Sequence, residues 1–154
     1  MQIKSFPWKC SKCRQSTVEP SRIDYTASVE HDGRAYEVRI PALDVPKCRN
    51  CGTLVMTETV NRQISEALRE AAGLLSPKEI RSQREQLGLT QRQLAGRLGV
   101  AEATLSRWET GAQIQQRSLD RFLRAYFAVA ELRSYLELSR TLNGEQVEDA
   151  AAVP

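Results

Sequence analysis

No stretch of this 154-residue chain approaches the ~20 consecutive apolar residues of a membrane-spanning helix, which excludes an integral helical membrane protein. The opening segment, MQIKSFPWKC, has no apolar core of the kind a secretory signal needs, so a cytoplasmic location is expected. Histidine occurs once, as His31 beside Asp32-Gly33, where it reads as a solvated turn residue. One such histidine does not build a Ser-His-Asp or Cys-His catalytic set. Also missing is a βαβ pattern, the usual setting of a dithiol redox motif.

Cysteine is scarce but ordered. All four cysteines fall in two C-x-x-C pairs, Cys10 with Cys13 and Cys48 with Cys51. Structural disulfides are rare in a reducing compartment. Paired thiolates suit a tetrahedral ion, and the expected cofactor is one structural Zn2+ per chain, although ligand type alone does not separate iron from zinc. Four protein sulfurs leave no open position for water, which argues against hydrolytic chemistry. The 34 residues between the pairs must return on themselves. Ile23, Tyr25 and Ala27 alternate on one side, Tyr36, Val38 and Ile40 on the return, and Asp32-Gly33 is a favoured two-residue hairpin turn. Phe6 and Trp8 beside the first pair read as a cover for a small core. Residues 1–56 are therefore expected to form a zinc-ribbon-like β module.

Thr57 to Ala72 has Val60, Ile64, Leu68 and Ala71 at helical spacing, and is expected to be a helical connector (57–75) that either spaces or packs on the ribbon. Ser76-Pro77-Lys78-Glu79 then reads as a capping box with proline at the first helical position, placing a domain boundary near Ser76. The most informative stretch follows, Thr90 to Gly111. Thr90 and Gln93 form a second capping box; Leu94, Leu98, Leu105 and Trp108 share a face; Ala95 permits a close crossing; Gly99 marks a tight turn and Val100 fills its elbow. Such a pair is a helix-turn-helix. Gln91, Arg92, Glu102, Ala103, Thr104, Ser106 and Arg107 point outward, a set suited to phosphates and base edges, and Arg117 at the start of the next helix joins the expected DNA-binding residues. Residues 77–128 hold nine Lys/Arg against five Asp/Glu, and 129–154 two against five, so the basic excess coincides with this segment. Gln115–Ala128 and Val129–Thr141 read as further helices, continuous or separate. Val129, Leu132, Tyr135, Leu136 and Leu138 offer either core packing or a dimer seam. The acidic tail, 142–154, lacks periodicity and is expected to be disordered. The fold class expected is α+β: a β module, then an all-α, five-helix domain over 76–141.

LTQRQLAGRLGVAEATLSRWETG resembles the helix-turn-helix of the phage-repressor class (Xre, or Cro/C1-type), and CSKC…CRNCG followed by such a domain is similar to MqsA-type (YgiT-type zinc finger) antitoxins. The resemblance implies a homodimer joined through the C-terminal domain, a palindromic double-stranded operator, repression of its own promoter, and an N-terminal zinc domain that binds a ribonuclease toxin. It assigns base reading to Arg107, a phosphate contact to Gln91 and zinc ligation to Cys10, Cys13, Cys48 and Cys51. Two departures stand out: Ala103 replaces the family's base-reading asparagine, so the operator should differ, and Ala101 is a poor helix cap. Rival readings are a zinc-containing regulator with another partner and, in a different class, a metal-dependent or redox enzyme.

Overall fold

The computed structural model describes residues 5–142, and the chain divides into two compact units, Met1–Leu74 and Leu75–Pro154. The tail beyond residue 142 lies outside the described residues.

The first unit is a three-stranded antiparallel sheet in the order β1 (Trp8–Lys9), β2 (Ser16–His31), β3 (Arg34–Cys48), followed by α1 (Glu58–Ala72). Asp32 and Gly33 both adopt positive φ, 53° and 70°, so the β2–β3 turn has the handedness that matches strand twist. Pairing runs from His31↔Arg34 down to Val18↔Cys48, which delivers β3 directly into the second cysteine pair. Register slips once, between Ile23 and Tyr25, where β3 carries an extra residue. Pro41 sits at this point without an N–H to donate, which suits a bulge.

Helix α1 packs on the sheet. Thr57 caps it, accepting from Val60 N at 3.3 Å. Val60 is buried with Leu43 and Val45, with Ile23, Tyr25, Ile40 and Ile64 around them. Gln63 fixes the orientation, because its amide accepts from Asp44 N and donates to Asp44 O, both at 3.0 Å, as a neighbouring strand would. Of the two roles open to this helix, packing on the ribbon is the one realised.

The second unit contains α2 (Pro77–Gln86), α3 (Gln91–Leu98), α4 (Glu102–Thr110), α5 (Arg117–Ala128) and α6 (Ala130–Leu142). Both expected capping boxes form, Ser76 with Glu79 and Thr90 with Gln93. The core gathers Ile80, Leu94, Ala95, Leu98, Leu105, Trp108, Leu123 and Tyr126. A buried polar latch closes the entrance: Asp120 Oδ1 accepts from Leu75 N at 2.7 Å and from Gln115 Nε2 at 3.1 Å, while the same Gln115 nitrogen donates to Leu75 O at 2.7 Å. Helices α5 and α6 are separate. Val129 is extended (φ −111°, ψ 108°), and Arg133 Nη1 donates to Tyr126 O and Phe127 O at 2.8 and 2.9 Å, supplying the carbonyl partners the break removes.

Candidate nucleic-acid interface and metal centre

Each helix of the helix-turn-helix is positioned by local chemistry. Gly99 ends α3 at φ 70°, and Val100 N donates back to Ala95 O at 3.0 Å, closing the left-handed turn that swings the chain into α4. Ala95 is buried, and Leu105 and Trp108 anchor α4 in the core. A charged network behind the surface then fixes the angle between elements. Glu109, whose side chain is fully buried, accepts from Arg84 Nε at 2.6 Å and Arg84 Nη2 at 2.9 Å. Arg84 also donates to Leu89 O at 2.7 Å, and Gln91 Nε2 donates to Glu109 Oε2 at 2.9 Å. Burial pushes the Glu109 carboxyl up, but Arg84 and Gln91 outweigh it and hold it below the ordinary carboxylate range.

The outer surface carries Glu102, Ala103 and Arg107 on α4, all exposed, with Thr104 and Ser106 half-buried beside them. The Arg107 guanidinium makes no hydrogen bond or ion pair among the described residues, while its carbonyl accepts from Gln113 N at 3.2 Å and Thr110 Oγ1 at 3.3 Å. Arg92 is exposed on the first turn of α3, and Arg117 is half-buried at the first position of α5. Neither Ala101 before α4 nor Gln116 before α5 makes a side-chain cap hydrogen bond. The backbone N–H groups at those helix starts can therefore receive phosphate oxygens, and the helix dipole favours the anion. Gln91 is the exception in the expected set. Its amide is drawn inward to Glu109, which commits one of its two donor hydrogens to structure.

In the first unit the four cysteine sulfurs lie within 4.8 Å of one another. Cys10 Sγ is 3.6 Å from Cys51 Sγ, and Cys13 Sγ is 3.6 Å from Cys48 Sγ. A regular tetrahedron with metal–sulfur bonds of ~2.3 Å has edges of ~3.8 Å, so the donor set fits one tetrahedral ion. The two pairs are built alike. Cys10 O accepts from Arg14 N at 3.0 Å and Cys48 O from Gly52 N at 2.9 Å, with Arg14 and Gly52 both at positive φ, 62° and 74°. Outer hydroxyls support the sulfurs: Thr17 Oγ1 is 3.2 Å from Cys48 Sγ and Thr53 Oγ1 is 3.1 Å from Cys51 Sγ. The Thr17 hydrogen bond, helped by backbone N–H groups, brings Cys48 down to about 6, and Thr53 lowers Cys51. Thiolates are the form a metal binds. His31 lies at the end of β2, next to the hairpin turn.

Residues 80–129 match the helix-turn-helix family. The match covers the α2–α5 region described above and supports a DNA-binding regulator. No curated protein matches the chain. Among solved structures, a candidate DNA-binding protein from Nitrosomonas europaea is similar at 16% identity, covering 73% of this chain and 89% of the other, with a TM-score of 0.39. A likeness at that score is too slight to carry an inference. Among the described residues, no helix is long and apolar enough to cross a membrane.

The structure brings together all four predicted metal ligands, and places Ala103 and Arg107 on one exposed helix with Glu102. Four contributors escaped the sequence reading: Arg84 and Glu109 behind the interface, and the hydroxyls of Thr17 and Thr53 behind the sulfurs. The C-G-T run at Cys51–Thr53 was the available hint for the last of these.

Proposed function

We propose that this protein is a sequence-specific, dimeric DNA-binding repressor, and that it acts as the autoregulating antitoxin of a toxin–antitoxin pair. The observation that carries DNA binding is the exposed α4 surface within a segment matching the helix-turn-helix family. Arg107 would read guanine O6 and N7, and the uncapped starts of α4 and α5, with Arg92 and Arg117, would hold phosphates. Dimerisation would use α6 and its approach, where Val129, Tyr135 and Leu138 are 42%, 68% and 62% exposed; Leu136, from the same expected seam, packs on the core instead. One Zn2+ in the four-cysteine site would hold the first unit together. Four sulfur donors would fill every position of a tetrahedral ion and leave none for substrate or water, which supports reading the chain as a binding protein rather than an enzyme.

The antitoxin part rests on the order of parts, a four-cysteine module followed by this helix-turn-helix, with a small ribonuclease toxin as the partner of the first unit. A pull-down with the full chain from its native host tests it. Recovery of a small ribonuclease, released when the first unit is disrupted by chelation, is the expected result. Recovery of no such protein, with operator binding intact, would leave a stand-alone zinc-containing regulator and reject the antitoxin.

A further inference from the structure

The first unit divides its charge unevenly. Residues 5–19 and 46–56, around the cysteines, carry Lys9, Lys12, Arg14, Lys47 and Arg49 against Glu19 alone, whereas residues 20–45 carry three basic and five acidic side chains. In the hairpin arm, Arg22 and Arg39 are matched by Asp44 and Glu37. At the cysteine end only Arg49 is, by Glu19 at 2.6 Å; Lys9, Lys12, Arg14 and Lys47 form no ion pair among the described residues. A zinc ion with four thiolates brings two negative charges, which this excess more than offsets.

An aromatic groove lies against that basic end. Phe6 stacks on Trp8 with ring centroids 4.3 Å apart and planes 15° from parallel, and Trp8 packs on the cluster of Cys10, Val18 and Cys48. One face of Phe6 is thus supported, and the residue remains 38% exposed. Phe6 and Trp8 line a groove of about 600 Å³ with Pro20, Ser21, Arg22 and Pro46. A second groove, of about 670 Å³, shares Pro20 and Ser21 with it and is lined by Lys47, Arg49 and Glu19, so that with Glu19 paired to Arg49 its charge is still net positive through Lys47. A supported aromatic platform that runs on into a cationic groove is the arrangement by which proteins hold unpaired strands: bases stack while phosphates follow the charge.

We propose that the cysteine module carries a second nucleic-acid surface, which takes an unpaired DNA strand with a base stacked on Phe6 and the backbone along Lys47 and Arg49. Duplex DNA is disfavoured because paired bases present no face to the ring. DNA rather than RNA is named because the same chain carries the helix-turn-helix, and in that clause alone the proposal rests on the DNA-binding reading.

The test is fluorescence anisotropy of a labelled 12-mer of thymidylate with the full, zinc-loaded chain. Phe6→Leu keeps the apolar bulk but not the ring, and is expected to weaken binding roughly tenfold, with Phe6→Tyr restoring it. Lys47→Gln should weaken binding and make it less salt-dependent. Arg107→Ala should leave it unchanged, which separates this surface from the helix-turn-helix. Zinc content per chain reports that each variant is folded. Parent-like binding by folded Phe6→Leu, equal competition by a 12-base-pair duplex, loss of binding in Arg107→Ala, or a uridylate 12-mer binding tenfold tighter would each overturn the proposal.

Discussion

Replacing Glu109 by glutamine should cost more stability than its modest change in shape suggests. The carboxylate receives two charge-assisted hydrogen bonds from Arg84, at 2.6 and 2.9 Å, and one from Gln91 at 2.9 Å, with its own side chain wholly out of water. The Arg84 side chain is itself only 11% exposed, so removing the negative charge leaves a guanidinium that water cannot solvate. Breaking one side of such a buried pair costs about 3–5 kcal/mol, whereas replacing both sides with apolar residues is often near neutral. Arg84→Met with Glu109→Leu should therefore be less damaging than the two single changes summed, by at least about 1 kcal/mol. The double variant still loses the Arg84 bond to Leu89 O and the partner of Gln91, so some destabilisation remains. Urea titration read by Trp108 fluorescence measures this, because Trp108 is buried in the core of the second unit. A Trp8→Phe background removes the only other tryptophan. The pH dependence follows from the same geometry. The native carboxyl titrates below its unfolded value of about 4.5, so its stabilisation is complete above that value and disappears as pH falls through the lower native one. Glu109→Gln should flatten that acid limb. Strict additivity of the two single variants, or a loss under 1 kcal/mol in Glu109→Gln, would refute the reasoning.

Three further outcomes are expected. Purified protein should contain about one zinc per chain, and chelation should unfold the first unit while leaving Trp108 emission unchanged, checked by elemental analysis and fluorescence. Gln91→Ala should lower stability by about 1 kcal/mol through the lost bond to Glu109 and weaken all DNA sequences alike, read by urea titration and by operator against random duplex. Leu138→Glu should shift the protein toward monomer in sedimentation and weaken operator binding together with it, since Leu138 is exposed on α6 and a charge there costs the fold little.

The features legible in the sequence were those whose chemistry is local. Thr90 with Gln93, Ser76 with Glu79, Gly99, and Asp32-Gly33 each specify a cap or turn within four residues, and the structure forms them as expected. Cysteine spacing worked for a similar reason, since each C-x-x-C builds its own small loop. What escaped depends on partners far apart in the chain. Gln63 meets the backbone of Asp44, Gln115 and Asp120 meet Leu75, and Arg84 meets Glu109 only once the helices and strands are assembled. The length of β3 was hidden as well, because Pro41 and Pro46 argue against a strand; a bulge accommodates the first and Pro46 faces Pro20 across the pair. The break at Val129 has no glycine or proline to announce it, and Arg133 stabilises it from the following turn. Among the expected DNA contacts, Gln91 illustrates the limit of carrying a role over by position, since its amide also serves Glu109.

The central claim is that α4 reads a specific duplex sequence. Selection of bound duplexes from a random pool by the full chain, repeated with Arg107→Ala, addresses it most directly. The account predicts enrichment of an inverted repeat whose half-site centres lie about 34 Å, or a multiple, apart, and a loss of roughly 1–3 kcal/mol with flattened preference in Arg107→Ala. No enriched sequence, or the same sequence enriched equally by Arg107→Ala, would contradict it.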